Sequence, residues 1–416
     1  MEHFVSIDQL QVGIYIQLDL RWMDHPFGFG SFKIKSAEQI QTLRQLGLDK
    51  IRYDPNRSDV KPLPVPEVAA PRPAVAVLAE DAPLLQEKRA RIERLKLYRQ
   101  EVAATEKAFL NAARTASLIN TNLLAQPKIM LAEAEAFIEQ LAKTFLADQG
   151  MTIHAMGGNA DTTEHYYHGL NVTVLSLIVA KALDLSLGDG KVLGMGALFH
   201  DLGLKDIPTG LRRKRDGLTP AEDKLRQMHC DYGVNLGMQI GLRQAELNII
   251  GQHHELMDGS GYPKKLRGDE IDPLARIVEV ANCYDSLCNP AEAGKAMCPH
   301  EVLSLMFAQQ RSKHDQKTMN MLVRCLGIYP PGTFVLLSNG AIGMVTSVNQ
   351  ARPLKPTLIV YDANIPKEEA IILDLEDEPD VHISNAFRPS QLPRPTIDYL
   401  SMRKHISYYF HAAATG

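Results

Sequence analysis

No two cysteines of this chain form a Cys-x-x-Cys pair. The five present, Cys230, Cys283, Cys288, Cys298 and Cys325, are odd in number, so they suggest neither a disulfide framework nor a zinc ribbon, and a reducing cytoplasm is the simplest setting. Long apolar runs are missing too. Nothing reaches the roughly 18 uninterrupted apolar residues of a membrane span, and Met1-Glu2-His3-Phe4-Val5 lacks the basic start and apolar run of a signal peptide, so the chain is expected to be neither exported nor membrane-spanning. Nor is there an excess of positive charge. At a net charge of −4 no basic field holds a nucleic-acid polymer, which leaves small anionic ligands as candidates.

What is present is an ordinary globular composition, 45% hydrophobic and 23% charged over 416 residues, long enough for about two or three domains. Residues 1–54 read as a small α+β unit: strand-like Gly13 to Leu18 and Phe32 to Ile34, a helix from Ser36 to about Leu46, then Lys50 to Tyr53. Prolines crowd residues 55–84, which read as a linker. Residues 85–159 read as connecting helices, one from Leu85 to about Leu124 and one after Pro127 to about Leu146. The long first helix is a candidate for homodimer formation. Residues 160–328 are expected to be almost wholly helical, broken at Gly188-Asp189-Gly190, Gly203 to Gly217, Asp258 to Asp272 and Asn289-Pro290. Thr219-Pro220-Ala221-Glu222 has the hydroxyl cap, first-turn proline and acid of a helix start, predicting a helix that carries His229. Residues 329–416 turn β-rich, with Phe334 to Leu337, Gly343 to Thr346 and Thr357 to Tyr361 as strands and Asn339-Gly340 as a turn.

The densest chemistry lies between His168 and His254. Five of the 14 histidines, His168, His200, His229, His253 and His254, fall there with Asp201, each at or near the end of a helix-like segment. Neutral imidazoles with a carboxylate able to bridge suit borderline first-row metals, and a set this rich fits a site of two or more. Glu164, four residues before His168, projects from the same helical face and offers a further ligand.

The order His168, His200-Asp201, His229, His253-His254-Glu255 and Asp258-Gly259-Ser260-Gly261-Tyr262-Pro263 resembles the HD-GYP branch of the HD metal-dependent phosphohydrolases. The first fifty-odd residues are similar to the small domain of unknown function that often precedes it in bacterial proteins. The resemblance implies a mainly α fold: a helical HD-type domain with a small β-rich C-terminal segment and a small α+β N-terminal domain. It implies two or three divalent ions, iron or manganese, and hydrolysis of cyclic di-GMP to pGpG or GMP. Glu164, His168, His200, Asp201, His229, His253, His254 and Asn282 match its metal positions. Asp201 and Lys205 are the candidate catalytic residues, Tyr262 and Lys295 the candidate substrate contacts. The Gly261-Tyr262-Pro263 loop is the one that the family links to docking with diguanylate cyclase (GGDEF) domains.

Three positions depart from the family pattern. Leu204 stands where the family has lysine, with Lys205 one residue on; Asn282 stands where the family has its last metal-binding aspartate; and the family's phosphate-holding Arg-Pro-Tyr-Arg or Lys is replaced by Asn289-Pro290-Ala291-Glu292-Ala293-Gly294-Lys295, in which Lys295 alone keeps a positive charge. They open two alternatives: a catalytically weak or inactive module that acts through metal, nucleotide and protein contacts, or a phosphohydrolase of another nucleotide.

Overall fold

The computed structural model describes the chain except residues 1–2, 21–24, 28–29, 65–82, 147–150, 159–163, 215–216, 291–294, 349–351, 364, 368–369, 401–404 and 413–416. At 83–92, 94–95, 151–158, 164–166, 213 and 405–412 it describes the backbone alone. Most of the Pro-rich segment and Ala291 therefore lie outside the described residues, as does the Glu164 side chain. The chain divides into two units, residues 1–100 with 362–370, and residues 101–361 with 371–416.

In the first unit β1 (His3–Ser6), β2 (Tyr15–Gln17), β3 (Ser31–Lys33) and β4 (Lys50–Tyr53) form an antiparallel sheet in the order β1-β4-β2-β3, with α1 (Ala37–Gln45) after β3. Ser36 starts α1 by accepting the Gln39 N–H. Alternate strand residues point inward, so Val5, Ile14, Ile16 and Ile51 meet Leu43 of α1 in one core.

The second unit is mainly α. Helix α2 (Pro83–Asn122) contributes its C-terminal part, where Phe109, Ala112, Ala116 and Ile119 are buried at the three- and four-residue spacing of one helical face. After α3 (Pro127–Leu146) comes β5 (Met151–Gly158), a strand within the span expected to hold only connecting helices. The run α4 (Glu164–Ala182), α5 (Leu187–Phe199), α6 (Thr209–Arg213), α7 (Pro220–Gln227), α8 (His229–Ile240), α9 (Gln244–Gln252), α10 (Pro273–Cys288), α11 (Pro299–Ser304) and α12 (Gln316–Leu326) builds the helical core. Residues 169–180 of α4 are all buried, the polar Asn171, Thr173 and Ser176 along with the apolar ones, because neighbours cover this helix all round.

Two local expectations are corrected. The glycines at 188 and 190 do not break a helix; they lie in the first turn of α5, which Ser186 caps by accepting the Asp189 N–H. The Thr219 capping box forms, but its helix ends at Gln227, and His229 opens the next one.

Strands β6 (Phe334–Leu337), β7 (Ile342–Ser347), β8 (Thr357–Val360), β9 (Ile371–Asp374) and β10 (Ile383–Phe387) follow, then α13 (Arg394–Leu400) and β11 (His405–Ala412). The sheet runs β10-β6-β7-β5-β11, and β8 pairs with β7 and β9. β11 pairs along its whole length with β5, His405 opposite Gly158 and Ala412 opposite Met151.

One crossing positions the later site. The 3-10 turn Leu202–Asp206, directly after His200-Asp201, presses against the start of α8. A Cβ on Gly203 would stand 1.9 Å from the His229 carbonyl oxygen and 2.3 Å from the Gly233 nitrogen, both backbone atoms that cannot swing aside. Gly203→Ala is expected to destabilise the protein by about 1–3 kcal/mol or more, whereas Gly210→Ala, with nothing within 4 Å, serves as the neutral control. Denaturant unfolding of the two variants checks this, and equal midpoints would refute the close crossing.

Candidate metal centre

Three of the clustered histidines are oriented by one device. His200, His229 and His253 each place Nδ1 2.7 Å from the carbonyl oxygen three residues earlier, of Ala197, Arg226 and Ile250. Those carbonyls lie in the last turns of α5, α7 and α9, where helical partners run out. The Nδ1 proton is donated there, so the lone pair of each neutral ring sits on Nε2. His168 uses a carboxylate instead. Its Nδ1 lies 2.6 Å from Oδ2 of Asp285 on α10, whose other oxygen accepts from the side-chain amides of Asn171 at 2.8 Å and Asn289 at 2.9 Å.

The free nitrogens converge. Nε2 of His168 and His200 are 3.3 Å apart, and Nε2 of His229 and His253 are 3.1 Å apart. Asp201 stands between the two pairs. Its Oδ2 is 3.5 Å from His200 Nε2 and 3.9 Å from His168 Nε2, while its Oδ1 is 3.5 Å from His229 Nε2 and 3.9 Å from His253 Nε2. One carboxylate oxygen thus addresses each pair, the arrangement of a bridging ligand. His254 joins the second group, with Asp201, His229 and His253. Lone pairs turned on one another inside a protein repel unless a proton or cation lies between them, so this donor set fits two divalent ions.

The charges agree. Burial works to raise the Asp201 carboxyl, but the surrounding imidazoles of His200, His229, His168 and His253 outweigh it and hold the group ionised, well below the usual carboxylate range. Burial, reinforced by neighbouring imidazoles, pushes His253 and His254 far down; burial also lowers His200, despite the nearby Asp201. Rings shifted this way give up a proton readily, as metal ligands must. His168 goes the other way: burial alone would lower it, yet the hydrogen bond and charge of Asp285 raise it.

A wall of the site comes from the turn after α9. Tyr262 stacks on His254 at a ring separation of 4.6 Å and 24°, and its N–H donates to the His254 carbonyl at 3.1 Å. Gly261 permits this, since a Cβ there would lie 2.4 Å from His254 O and from Leu256 N. Buried Glu255 holds the turn by accepting the N–H groups of Lys264 at 2.6 Å and Leu266 at 3.0 Å.

Asn282, buried on α10, is a hydrogen-bond partner of His168 and so belongs to this cluster. Lys205 is engaged elsewhere: its Nζ donates to the Asn120 carbonyl of α2, and burial lowers its pKa. Lys295 is exposed beyond the end of α10. Sequence reasoning named neither Asp285 nor Glu255 as working residues. Asp285 stands three positions after Asn282, one helical turn along the same face, which is the signal that could have found it.

Against known families, residues 3–134 match a domain of unknown function, DUF3391; residues 130–318 match the HD domain; and residues 334–394 match the KOW domain associated with the HD domain. The cyclic di-GMP phosphodiesterase PA4108 of Pseudomonas aeruginosa is 26% identical over 86% of this chain and 84% of its own length. The cyclic di-GMP phosphodiesterase response regulator RpfG of Xanthomonas campestris is 34% identical over 35% of this chain and 39% of its own. The 3'3'-cGAMP-specific phosphodiesterase 3 of Vibrio cholerae is 28% identical over 43% of this chain and 39% of its own. No helix among the described residues is long and apolar enough to cross a membrane.

Since a metal ion at His168 competes with a proton that Asp285 stabilises, loading of the His168 half is expected to strengthen as pH rises through the His168 pKa, which lies above its ordinary value of about 6.5. The His253 and His254 half, with its lowered pKa values, fills at lower pH. In Asp285→Asn the first step moves to lower pH and its affinity falls by about 10–100-fold. Metal titrations at several pH values follow both steps; a variant that loads like the parent would show that Asp285 does not orient His168.

Proposed function

We propose that this chain, which matches the HD domain and, before it, DUF3391, is a metal-dependent phosphodiesterase that hydrolyses cyclic di-GMP to pGpG or GMP. One observation carries the reading: imidazole nitrogens that face one another in pairs across the two oxygens of Asp201. His168, His200 and Asp201 would hold one ion and Asp201, His229, His253 and His254 another, with iron or manganese suited to the set. Asn282 would add a neutral oxygen, and Glu164 a carboxylate for a third ion. When bound, such ions neutralise phosphoryl oxygens and lower the pKa of water, which supplies a nucleophile near neutral pH.

The chain's own residues preorganise this chemistry. The helix-end carbonyls and Asp285 fix the rings in advance, so substrate charge meets a site that need not rearrange. Asp201 and His168, 31% and 21% exposed by side chain, open the cluster to solvent. Burial first, then nearby Cys230 and Asp201, raises the Tyr262 phenol and keeps its O–H as a donor for a phosphate or base of the substrate. Lys295 supplies a positive charge for the second phosphate. The reaction belongs in the cytoplasm, where a cyclic dinucleotide would be consumed as a signal.

The engagement of Lys205 by Asn120 favours a second reading, in which turnover is slow and the domain signals by binding nucleotide, pairing with a second copy, or contacting diguanylate cyclase domains through the Gly261-Tyr262-Pro263 turn. A catalytic Lys205 has to leave that carbonyl.

Anaerobic turnover of cyclic di-GMP by protein loaded with Fe(II) or Mn(II), with products resolved chromatographically, decides between them. Linear pGpG is expected, His200→Ala with Asp201→Ala should fall to background, and Leu204→Lys should raise kcat. Full metal loading without hydrolysis would reject this substrate, and a parallel assay with 3'3'-cGAMP then tests the related nucleotide.

A further inference from the structure

Apart from the histidine centre, the described residues hold one more group of metal-ligating side chains, and it is buried. Glu279 and Cys283 stand four residues apart on α10 and share a helix face. His314, in the turn that leads into α12, reaches both. Its Nδ1 lies 3.1 Å from each carboxylate oxygen of Glu279, and one ligand atom from each of the three residues lies within 4.8 Å of the others. Glu279 is 5% exposed and His314 2%. On the far side of the ring, Nε2 stands 3.3 Å from Gln310 Oε1, an acceptor. A proton donated there leaves the Nδ1 lone pair aimed at a carboxylate, which again calls for a cation or a further proton between the two.

We propose that Glu279, Cys283 and His314 form a second metal site, which binds a single divalent ion of the zinc class apart from the histidine centre. The mixture of thiolate, imidazole and carboxylate is the one that borderline-soft zinc prefers, and three protein ligands with water as the fourth complete a tetrahedron. Ligand atoms around such an ion lie roughly 3.3–3.8 Å apart, so the His314–Glu279 pair, at 3.1 Å, opens slightly, and separations up to 4.8 Å close by about an ångström or less. Burial, with the Glu279 charge beside it, pushes the Cys283 thiol up to about 12; the ion takes the sulfur lone pair as the thiol proton leaves to solvent. The segment from Leu305 to Gln309 is a π turn, and the chain from there to α12 is irregular. An ion at His314 ties this stretch to α10.

The tie reaches the histidine centre by two routes. Lys313, next to His314, accepts the N–H of Met257 at 2.8 Å, and Met257 begins the turn that ends in Tyr262. Meanwhile α10 carries Asn282 and Asp285, the partners of His168, one helix face away from Glu279 and Cys283. The site is therefore structural, holding the wall and floor of the other one.

Metal-free full-length protein titrated with Co(II) under anaerobic conditions provides the test, because none of the ligands proposed for the histidine centre is a thiol. A thiolate-to-cobalt charge-transfer band in the near ultraviolet is expected to saturate at a single equivalent and to vanish when Zn(II) is added. It should be lost in Cys283→Ser, weakened about tenfold or more in affinity in Glu279→Gln, and retained in Cys230→Ser, whose thiol lies 3.7 Å from His229 Nε2. The absence of the band in the unaltered protein, which needs no variant to fold, overturns the proposal. So does a band that survives Cys283→Ser. Neither result bears on hydrolysis of cyclic di-GMP, which is read separately.

Discussion

The constraint on which the structure depends is that Nε2 lone pairs have nowhere to turn. Three rings are pinned at Nδ1 by helix-end carbonyls and a fourth by Asp285, so each Nε2 faces its neighbour at 3.1 or 3.3 Å. An ordinary core would not hold such an arrangement, since hydrogen-bond acceptors placed against acceptors lose solvation and gain nothing. The helices end where they do in order to present these rings. Last-turn carbonyls that would otherwise need water or a capping group are satisfied by imidazole, and the same bond that ends the helix sets the tautomer of the ligand. Fold and site are one set of hydrogen bonds.

Backbone proximity extends this constraint beyond the rings. Gly203 lets the turn after Asp201 lie on the His229 carbonyl, which draws the bridging carboxylate toward both imidazole pairs at once. Gly261 does the same for Tyr262 over His254. Side chains at either position would move whole segments. Glu255 completes the wall from beneath, its charge met by two backbone N–H groups of the turn.

How much of this was legible in the sequence follows from the range of the interaction. The Thr219 capping box, the helix after Pro127 and the strands at 334–337 and 357–360 are coded by neighbours, and they form as read. That the five histidines and Asp201 come together was legible because a metal-binding donor set would restrict residue type. β5 and β11 were not, because they pair with each other some 250 residues apart along the chain, and β5 pairs on its other side with the likewise distant β7. The split at Met228 is a local feature: one helix ends at Gln227 and the next starts at His229, whose ring meets the Arg226 carbonyl three residues back. Asp285 was hidden for a different reason. A buried aspartate on an apolar helix looks like any polar outlier until its partner, His168, is found more than a hundred residues earlier.

The departures at Leu204 and Asn282 are coupled through charge. Among the described ligands Asp201 is the single carboxylate, since Asn282 is neutral where a second one would otherwise sit. Two divalent ions would bring four positive charges and Asp201 would return one, so a loaded centre would keep a larger surplus than it would with an aspartate at 282. Under the proposed reading, that surplus would attract the phosphates of the substrate and partly replace what a lysine at 204 would contribute. The same surplus weakens the hold on the ions, because less protein charge opposes their mutual repulsion. Rings fixed in advance counter that loss: their orientation costs nothing further when an ion binds. A histidine-rich centre with a single bridging carboxylate is thus a consistent solution, provided its walls stay where Asp285, Glu255 and the two glycines put them.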